Sequence, residues 1–311
     1  MNDSGPPSIT ATGLEHRLRS GQFVMTAEVA PPVSCDPDDL LKKALPLRGL
    51  ADAVNVTDGA GARAHLAAPT AAAILLTAGI EPILQLTCRD RNRIALQSEL
   101  MGASAMGVNN LLLLRGDDPT AGDQPDAKPV FDYDTRMLME AARKMRDEGV
   151  LPHGSKVGGK ASFFLGAADL PIDPPPGWQP DSLKAKIAGG AQFAQTQFCM
   201  DAGIVRRYMA RLAEAGVTEK FFVLIGVNPL RSARSATWMK NHLFGTIIPD
   251  ASIKRMEQAA DPLAEGQRIC IELIEELATI PGVCGVHVMA PGNDASVPDV
   301  ISEAKARLRG R

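Results

Sequence analysis

The chain has 311 residues, 45% of them hydrophobic and 22% charged, with a formal net charge of −3, the make-up of a globular protein. That balance offers no basic surface for nucleic acid or an anionic membrane, and 4% aromatics leave few rings for stacking bases. Five scattered cysteines (Cys35, Cys88, Cys199, Cys270, Cys284) without a CxxC pair predict reduced thiols in a cytoplasmic protein, not a disulfide scaffold or a zinc site.

Met1 to Pro7 lack the apolar core of a signal peptide, and no window is apolar enough for a membrane helix. Leu14–Arg19 can form a short helix with Leu14 and Leu18 at i, i+4 spacing. Phe23–Ala30 reads as a first strand, stopped by Pro31-Pro32. A helix follows, with Asp36 as N-cap and Pro37 at its first position. Ala53–Thr57 is a second strand, broken by Asp58-Gly59-Ala60-Gly61, and Thr70–Ala78 is helical. Pro82–Thr87 is a strand, Arg91–Met106 a helix, and Leu111–Leu114 a short strand buried on both faces. That leucine run opens abruptly into Arg115-Gly116-Asp117-Asp118-Pro119, either loop chemistry or an ordinary polar turn.

The connection from Gly116 to Asp132 is long for a compact domain, which predicts a functional or disordered loop. Asp134–Asp147 is a helix whose Met137, Met139 and Met145 read as core filler. Lys160–Gly166 is expected as the fifth strand, followed by a proline-rich loop from Ala167 to Gln179. Asp181–Gly189 and Asp201–Ala215 are helices around the strand Ala191–Phe198, and Lys220–Val227 is the next strand. Helices at Ser232–Leu243, Ala251–Gln258 and Pro262–Thr279 precede the last strand, Val283–Met289, and Pro298–Leu308 closes the chain.

Eight strands alternate with helices, and no two are joined by a hairpin turn. That pattern predicts an all-parallel α/β fold, a single (β/α)8 TIM barrel over 23–311, preceded by an N-terminal arm and short helix over 1–22. A doubly wound open sheet is the alternative, but no GxGxxG follows any strand.

In such a barrel the chemistry sits at the C-terminal ends of the strands. Those ends carry Glu28, Thr57 with Asp58, Gln85 with Thr87, Arg115 to Asp117, Gln195 with Gln197, and His287. Glu28 and Asp117 are therefore expected to face one mouth. A carboxyl among Val24, Val29 and Ala30 would have a raised pKa suited to a general acid, although pairing with a surface lysine is the plainer possibility. The five histidines form no close-spaced set, so no metal site is expected, and His287 reads as a hydrogen-bonded barrel residue. GxSxG and P-loop signatures are missing. Gly59, Gly61 and Gly116 either let backbone approach a ligand or serve ordinary turns. Lys184 and Lys186 either present a solvated helix face or, for Lys186, neutralise a diphosphate.

Taken in order, the strand ends resemble the methylenetetrahydrofolate reductase family. Ala27-Glu28-Val29-Ala30-Pro31-Pro32, Val56-Thr57-Asp58-Gly59-Ala60, Leu86-Thr87-Cys88, Leu114-Arg115-Gly116-Asp117, Lys186-Ile187-Ala188-Gly189-Gly190-Ala191 and Thr196-Gln197-Phe198 match family blocks in order and spacing. Pro229-Leu230-Arg231-Ser232 and Gly285-Val286-His287 are weaker matches. The resemblance implies a flavin- and folate-binding barrel that reduces 5,10-methylenetetrahydrofolate to 5-methyltetrahydrofolate with NAD(P)H, as in methionine biosynthesis, or runs the reverse oxidation in one-carbon catabolism. It implies Glu28 as the general acid that protonates N10 so that the ring opens to a 5-iminium cation. Asp117 becomes the carboxylate beside flavin and pterin, and Gln197 a contact to folate or nicotinamide. Thr57, Ala60, Gln85, Leu114, Arg115, Gly116, Asp117 and Lys186 fall at flavin-contact positions.

Two departures stand out: Gln85 replaces the family's histidine, and Gly166-Ala167-Ala168-Asp169-Leu170-Pro171 replaces a Tyr-Pro-Glu-x-His stretch. Phe131 and Asp132 are then expected to supply flavin contacts from the preceding loop. FAD is the cofactor implied, with FMN or no flavin left open, and NAD(P)H is the co-substrate. The alternatives are a flavin-free, direct NAD(P)H-dependent reductase, a non-catalytic folate-binding subunit of a methyl-transfer complex, and a pterin-dependent methyltransferase. A homo-oligomer is compatible with each.

Overall fold

The computed structural model describes residues 13–310, so the arm expected before Gly13 lies outside the described residues. Its elements run α1 (Gly13–Arg19), β1 (Val24–Val29), α2 (Pro37–Ala44), β2 (Ala53–Val56), α3 (Ala68–Thr77), β3 (Pro82–Thr87), α4 (Arg93–Ala105) and β4 (Asn110–Leu114). Then come α5 (Thr135–Asp147), β5 (Phe164–Asp169), α6 (Asp181–Ala188), β6 (Phe193–Phe198), α7 (Ala202–Glu214) and β7 (Phe222–Val227). The chain closes with α8 (Ala233–His242), α9 (Asp250–Gln258), α10 (Pro262–Leu277), β8 (Val283–Val288) and α11 (Val297–Arg309). The eight strands form a closed parallel barrel in sequence order, the (β/α)8 architecture that the alternation of elements predicts. Among the described residues, no helix is long and apolar enough to cross a membrane.

Helix starts follow the local chemistry. Asp36, Asn92, Asp134, Asp201 and Ser232 each accept a backbone N–H of the following first turn, satisfying donors that a helix leaves unpaired. Outward strand residues such as Val54, Leu84, Leu111, Leu113 and Ile225 are buried beneath the helices, joined by Met139 and Met145 of α5. Leucines on both faces of β4 are explained by this arrangement, since Leu112 points inward to the lumen cluster.

The lumen is layered. Its N-terminal floor is apolar: Val24, Ala53, Ile83, Leu112, Phe164, Phe193 and Leu224 pack together, with Leu14 and Leu18 of α1 pressed against them from below. Phe164 and Phe193 stack at 4.8 Å. Gly166 makes room for this pair, because a Cβ there would lie 2.3 Å from the Phe193 ring.

That requirement explains the one strand the sequence misplaces. The expected fifth strand, Lys160–Gly166, lies about one half-strand too early, and the true β5 is Phe164–Asp169. Its Gly-Ala-Ala-Asp end has poor strand propensity, but packing across the lumen overrides propensity here. Asp169 is thereby moved from an expected loop to the C-terminal end of a barrel strand.

Candidate active site

A cavity of about 880 Å³ opens at the C-terminal ends of the strands. Glu28, Thr57, Gln85, Asp117 and Gln197 line it from five different strands or strand ends, together with Leu114, Arg115 and Gly116. Ala60 from the loop after β2 and Lys186 from α6 complete the set of sequence-derived residues found there. Phe131 and Asp132 are not among the lining residues. Asp132 instead accepts from Arg93 N, Nε and Nη2 at 2.9, 2.8 and 2.6 Å, and this guanidinium holds its carboxyl down at about 2. Phe131, with a left-handed φ of 41°, lies under the Arg115 guanidinium at 4.8 Å. The pair braces the start of α4 and the Arg115 side chain.

The loops at the mouth are fixed to one another by buried charge. Asp58 accepts from Thr87 N and Oγ1 at 2.8 and 2.9 Å and is held by Arg91 Nη1 and Nη2 at 2.7 and 3.0 Å. Arg89, 4% exposed, donates to Gly59 O at 3.2 Å and to Asp117 O at 3.4 Å. Gly116 adopts φ +89°, and a Cβ there would meet Arg89 Cβ at 2.9 Å and Thr87 Cβ at 3.1 Å, so the turn requires glycine. The exposed Asp117 carboxylate then accepts Gly61 N at 3.2 Å, which holds it at the rim.

Glu28 sits differently. Its side chain is 25% exposed, and its Oε2 accepts from Gln85 Nε2 at 3.0 Å and lies 3.7 Å from His287 Nε2. The apolar surroundings expected from its sequence neighbours are not what it meets. Alternation along the strand turns Val29 outward to the helices, and Val24 belongs to the floor below. An amide and an imidazole face the carboxyl instead.

Beneath Glu28 lies a buried polar layer of Thr26, Asn55, Gln195 and His287, each at most 3% exposed. His287 is hydrogen-bonded here, as its place in the sequence suggests: Nδ1 lies 3.0 Å from Thr26 Oγ1 and 3.3 Å from Gln195 Nε2. Among the described residues, no group of three or more His, Cys, Asp or Glu is placed to hold a metal ion.

The wall at β5 carries residues that sequence reasoning missed. Asp169, 8% exposed, accepts from the Tyr208 hydroxyl of α7, and Trp178 packs against Tyr208 at 5.5 Å. Burial pushes the Asp169 carboxyl above the usual carboxylate range, and burial beside that carboxyl pushes the Tyr208 phenol up as well. Lys186 Nζ donates to Ala168 O at 2.7 Å, at the edge of the same wall. The signal for Asp169 was present, an acid following an apolar run, but the misplaced strand hid it.

Thr57 Oγ1 is buried at the cavity wall without a hydrogen-bond partner, a state that native proteins seldom leave to a hydroxyl unless a ligand completes it. Lys186 and Arg115 supply cations to the same cavity.

A family model described as methylenetetrahydrofolate reductase matches residues 13–305. A probable methylenetetrahydrofolate reductase (NADPH) of Caenorhabditis elegans is 26% identical over 243 residues, 74% of this chain and 33% of that protein. Methylenetetrahydrofolate reductase 1 of Schizosaccharomyces pombe is 24% identical over 213 residues, 63% of this chain and 32% of that protein. The chain thus spans about a third of the length of these curated relatives. An uncharacterized protein from Clostridium thermocellum, solved with two copies of 5-methyl-5,6,7,8-tetrahydrofolic acid, shares the fold with a TM-score of 0.63 at 13% identity. The match covers 94% of this chain and 98% of that one.

Proposed function

This chain belongs to the methylenetetrahydrofolate reductase family, and from that premise we propose that it reduces 5,10-methylenetetrahydrofolate to 5-methyltetrahydrofolate with NAD(P)H as hydride source. The observation that carries this reading is the convergence of Glu28, Asp117 and Gln197, from β1, the end of β4 and β6, on one cavity.

Opening the imidazolidine ring needs a proton at N10, and we assign that role to Glu28, the cavity acid on β1 that matches the family's general acid. Gln85 fixes the carboxyl by a hydrogen bond to Oε2, and His287 Nε2 stands 3.7 Å from the same oxygen. Asp117 is a carboxylate at the rim, placed by Gly61 N, where it accepts hydrogen bonds from a pterin and favours the cation that develops when the ring opens. Gln197 is steadied by its own Oε1 accepting Phe198 N at 3.0 Å and its Nε2 donating to Phe244 O at 3.3 Å, and it offers an amide face to the substrate.

The residues present suit a flavin. The unpartnered Thr57 hydroxyl, the Leu114–Gly116 backbone and Ala60 would hold the ring system, with Lys186 and Arg115 toward the diphosphate. When bound, the flavin supplies a two-electron carrier between nicotinamide and folate. Phe131 stacks on Arg115 and so supports it from behind, while Asp132 pairs with Arg93.

A second reading, direct hydride transfer without flavin, is favoured by the β5 wall. There Asp169, bonded by Tyr208, and Leu170 belong to the segment that replaces the family's Tyr-Pro-Glu-x-His stretch. A visible spectrum of the purified protein separates the two, followed by anaerobic addition of NADH and then methylenetetrahydrofolate. A yellow protein bleached by NADH and recoloured by the folate is expected. Colourless protein that takes up neither FAD nor FMN yet oxidises NAD(P)H with the folate selects the second reading. Absence of any NAD(P)H oxidation overturns both.

A further inference from the structure

Gln195 reaches into the lumen from β6 and meets residues of β1, β2 and β8, none of which neighbours β6 in the barrel. It is 3% exposed, so every polar atom of its amide is answered by protein. One edge forms a reciprocal pair with Asn55: Asn55 Nδ2 donates to Gln195 Oε1 at 2.6 Å, and Gln195 Nε2 donates back to Asn55 Oδ1 at 3.0 Å. The second N–H of the amide points to the adjoining pair formed by Thr26 Oγ1, at 3.0 Å, and His287 Nδ1, at 3.3 Å. Thr26 and His287 are register partners on β1 and β8, which places hydroxyl and ring side by side at 3.0 Å.

We infer that Gln195 is a positioning residue that sets the tautomer of His287, so that the ring presents its Nε2–H to Glu28. The Thr26 hydroxyl also has Val286 O within reach at 3.3 Å, but the amide N–H of Gln195 turns toward Nδ1 and the hydroxyl lies nearer to Nδ1, at 3.0 Å, so Nδ1 is assigned as the acceptor of the neutral ring and Nε2 carries the proton. Nε2 lies 3.7 Å from Glu28 Oε2, the same oxygen that Gln85 Nε2 meets at 3.0 Å. Gln85 hydrogen-bonds Oε2 and the His287 Nε2–H faces the same oxygen from 3.7 Å, which leaves Oε1 as the oxygen that offers a proton to the substrate. Were the amide to present its oxygen to this corner, Nδ1 would carry the proton and Nε2 would face Glu28 with a bare lone pair, repelling the carboxylate. The inference rests on Glu28 being the acid for its catalytic consequence, but the tautomer itself does not.

Side-chain ¹⁵N NMR of ligand-free protein labelled at its five histidines reads the tautomer directly, with His287→Gln identifying the resonance. The expected wild-type signature is a pyrrole-type Nε2 and a pyridine-type Nδ1. Gln195→Glu, which offers only acceptors, should reverse it. Gln195→Met, which keeps the bulk but removes the amide, should lower kcat for folate reduction by roughly tenfold to a hundredfold with little change in KM. An Nδ1–H tautomer in the wild-type protein overturns the inference whether or not the enzyme turns over. So does a Gln195→Glu protein whose His287 signature is unchanged, or a Gln195→Met protein with wild-type kcat in an otherwise active enzyme.

Discussion

At the floor of the barrel, Phe164 and Phe193 stack at 4.8 Å among aliphatic neighbours. At the other end of the same two strands, Asp169 and Gln197 face an open cavity. Each strand thus supplies packing at its start and chemistry at its end, separated by the hydrogen-bonded layer of Thr26, Asn55, Gln195 and His287. The contrast shows that stability and reactivity can be altered almost independently in this chain, provided the middle layer is left whole.

The largest effect should come from the mouth. Glu28→Gln removes the transferable proton but keeps an acceptor for Gln85, so kcat for folate reduction should fall about 10²- to 10⁴-fold. Its unfolding free energy should stay within about 0.5 kcal/mol of wild type. Steady-state turnover and urea titration check the two halves, and undiminished turnover would remove Glu28 from its role. The floor should behave in the opposite way. Phe193→Ala opens a void beside Phe164 and should cost about 3–5 kcal/mol in urea unfolding, while the folded fraction retains its turnover. A large loss of kcat in that folded fraction would break the comparison.

The smallest effect tests whether the mouth holds groups that weaken the fold. Burial raises the Asp169 pKa, so the folded state disfavours its ionised form. That penalty is nil at low pH, where folded and unfolded carboxyls are both protonated, and grows as pH rises past the unfolded value toward and above the folded one. Asp169→Asn keeps an acceptor for Tyr208 without the charge. It should therefore melt above wild type near pH 7, with the margin shrinking as pH falls to about 4. A margin that ignores pH would show that the carboxylate is not what weakens this wall.

Much of this was legible in the sequence. The eight strands and their parallel order follow from hydrophobic runs spaced by crossover helices, and the placement of Glu28, Asp117 and Gln197 at one cavity follows from reading strand ends alone. What failed did so for physical reasons. β5 was misplaced because Gly166 is set by the Phe193 ring across the lumen, a contact with no local signature, and Asp169 was lost with it. The surroundings of Glu28 were misjudged because residues adjacent in sequence point to opposite faces of a strand. Phe131 and Asp132, expected as flavin contacts from their loop, do not line the cavity: Asp132 pairs with Arg93, and Phe131 stacks on the cavity residue Arg115, contacts that leave no local sequence signature.

The α1 helix, described as packing beneath the floor, has a consequence for traffic. Leu14 N donates to Glu81 Oε1 at 3.0 Å, and among the described residues Leu14 and Leu18 close the apolar end, leaving the C-terminal mouth as the side on which the cavity opens. Whatever reaches Glu28 from that mouth shares it with Asp117 and Gln197. Under the proposed reaction, a product that lingers at this mouth is a stopper to the next arrival.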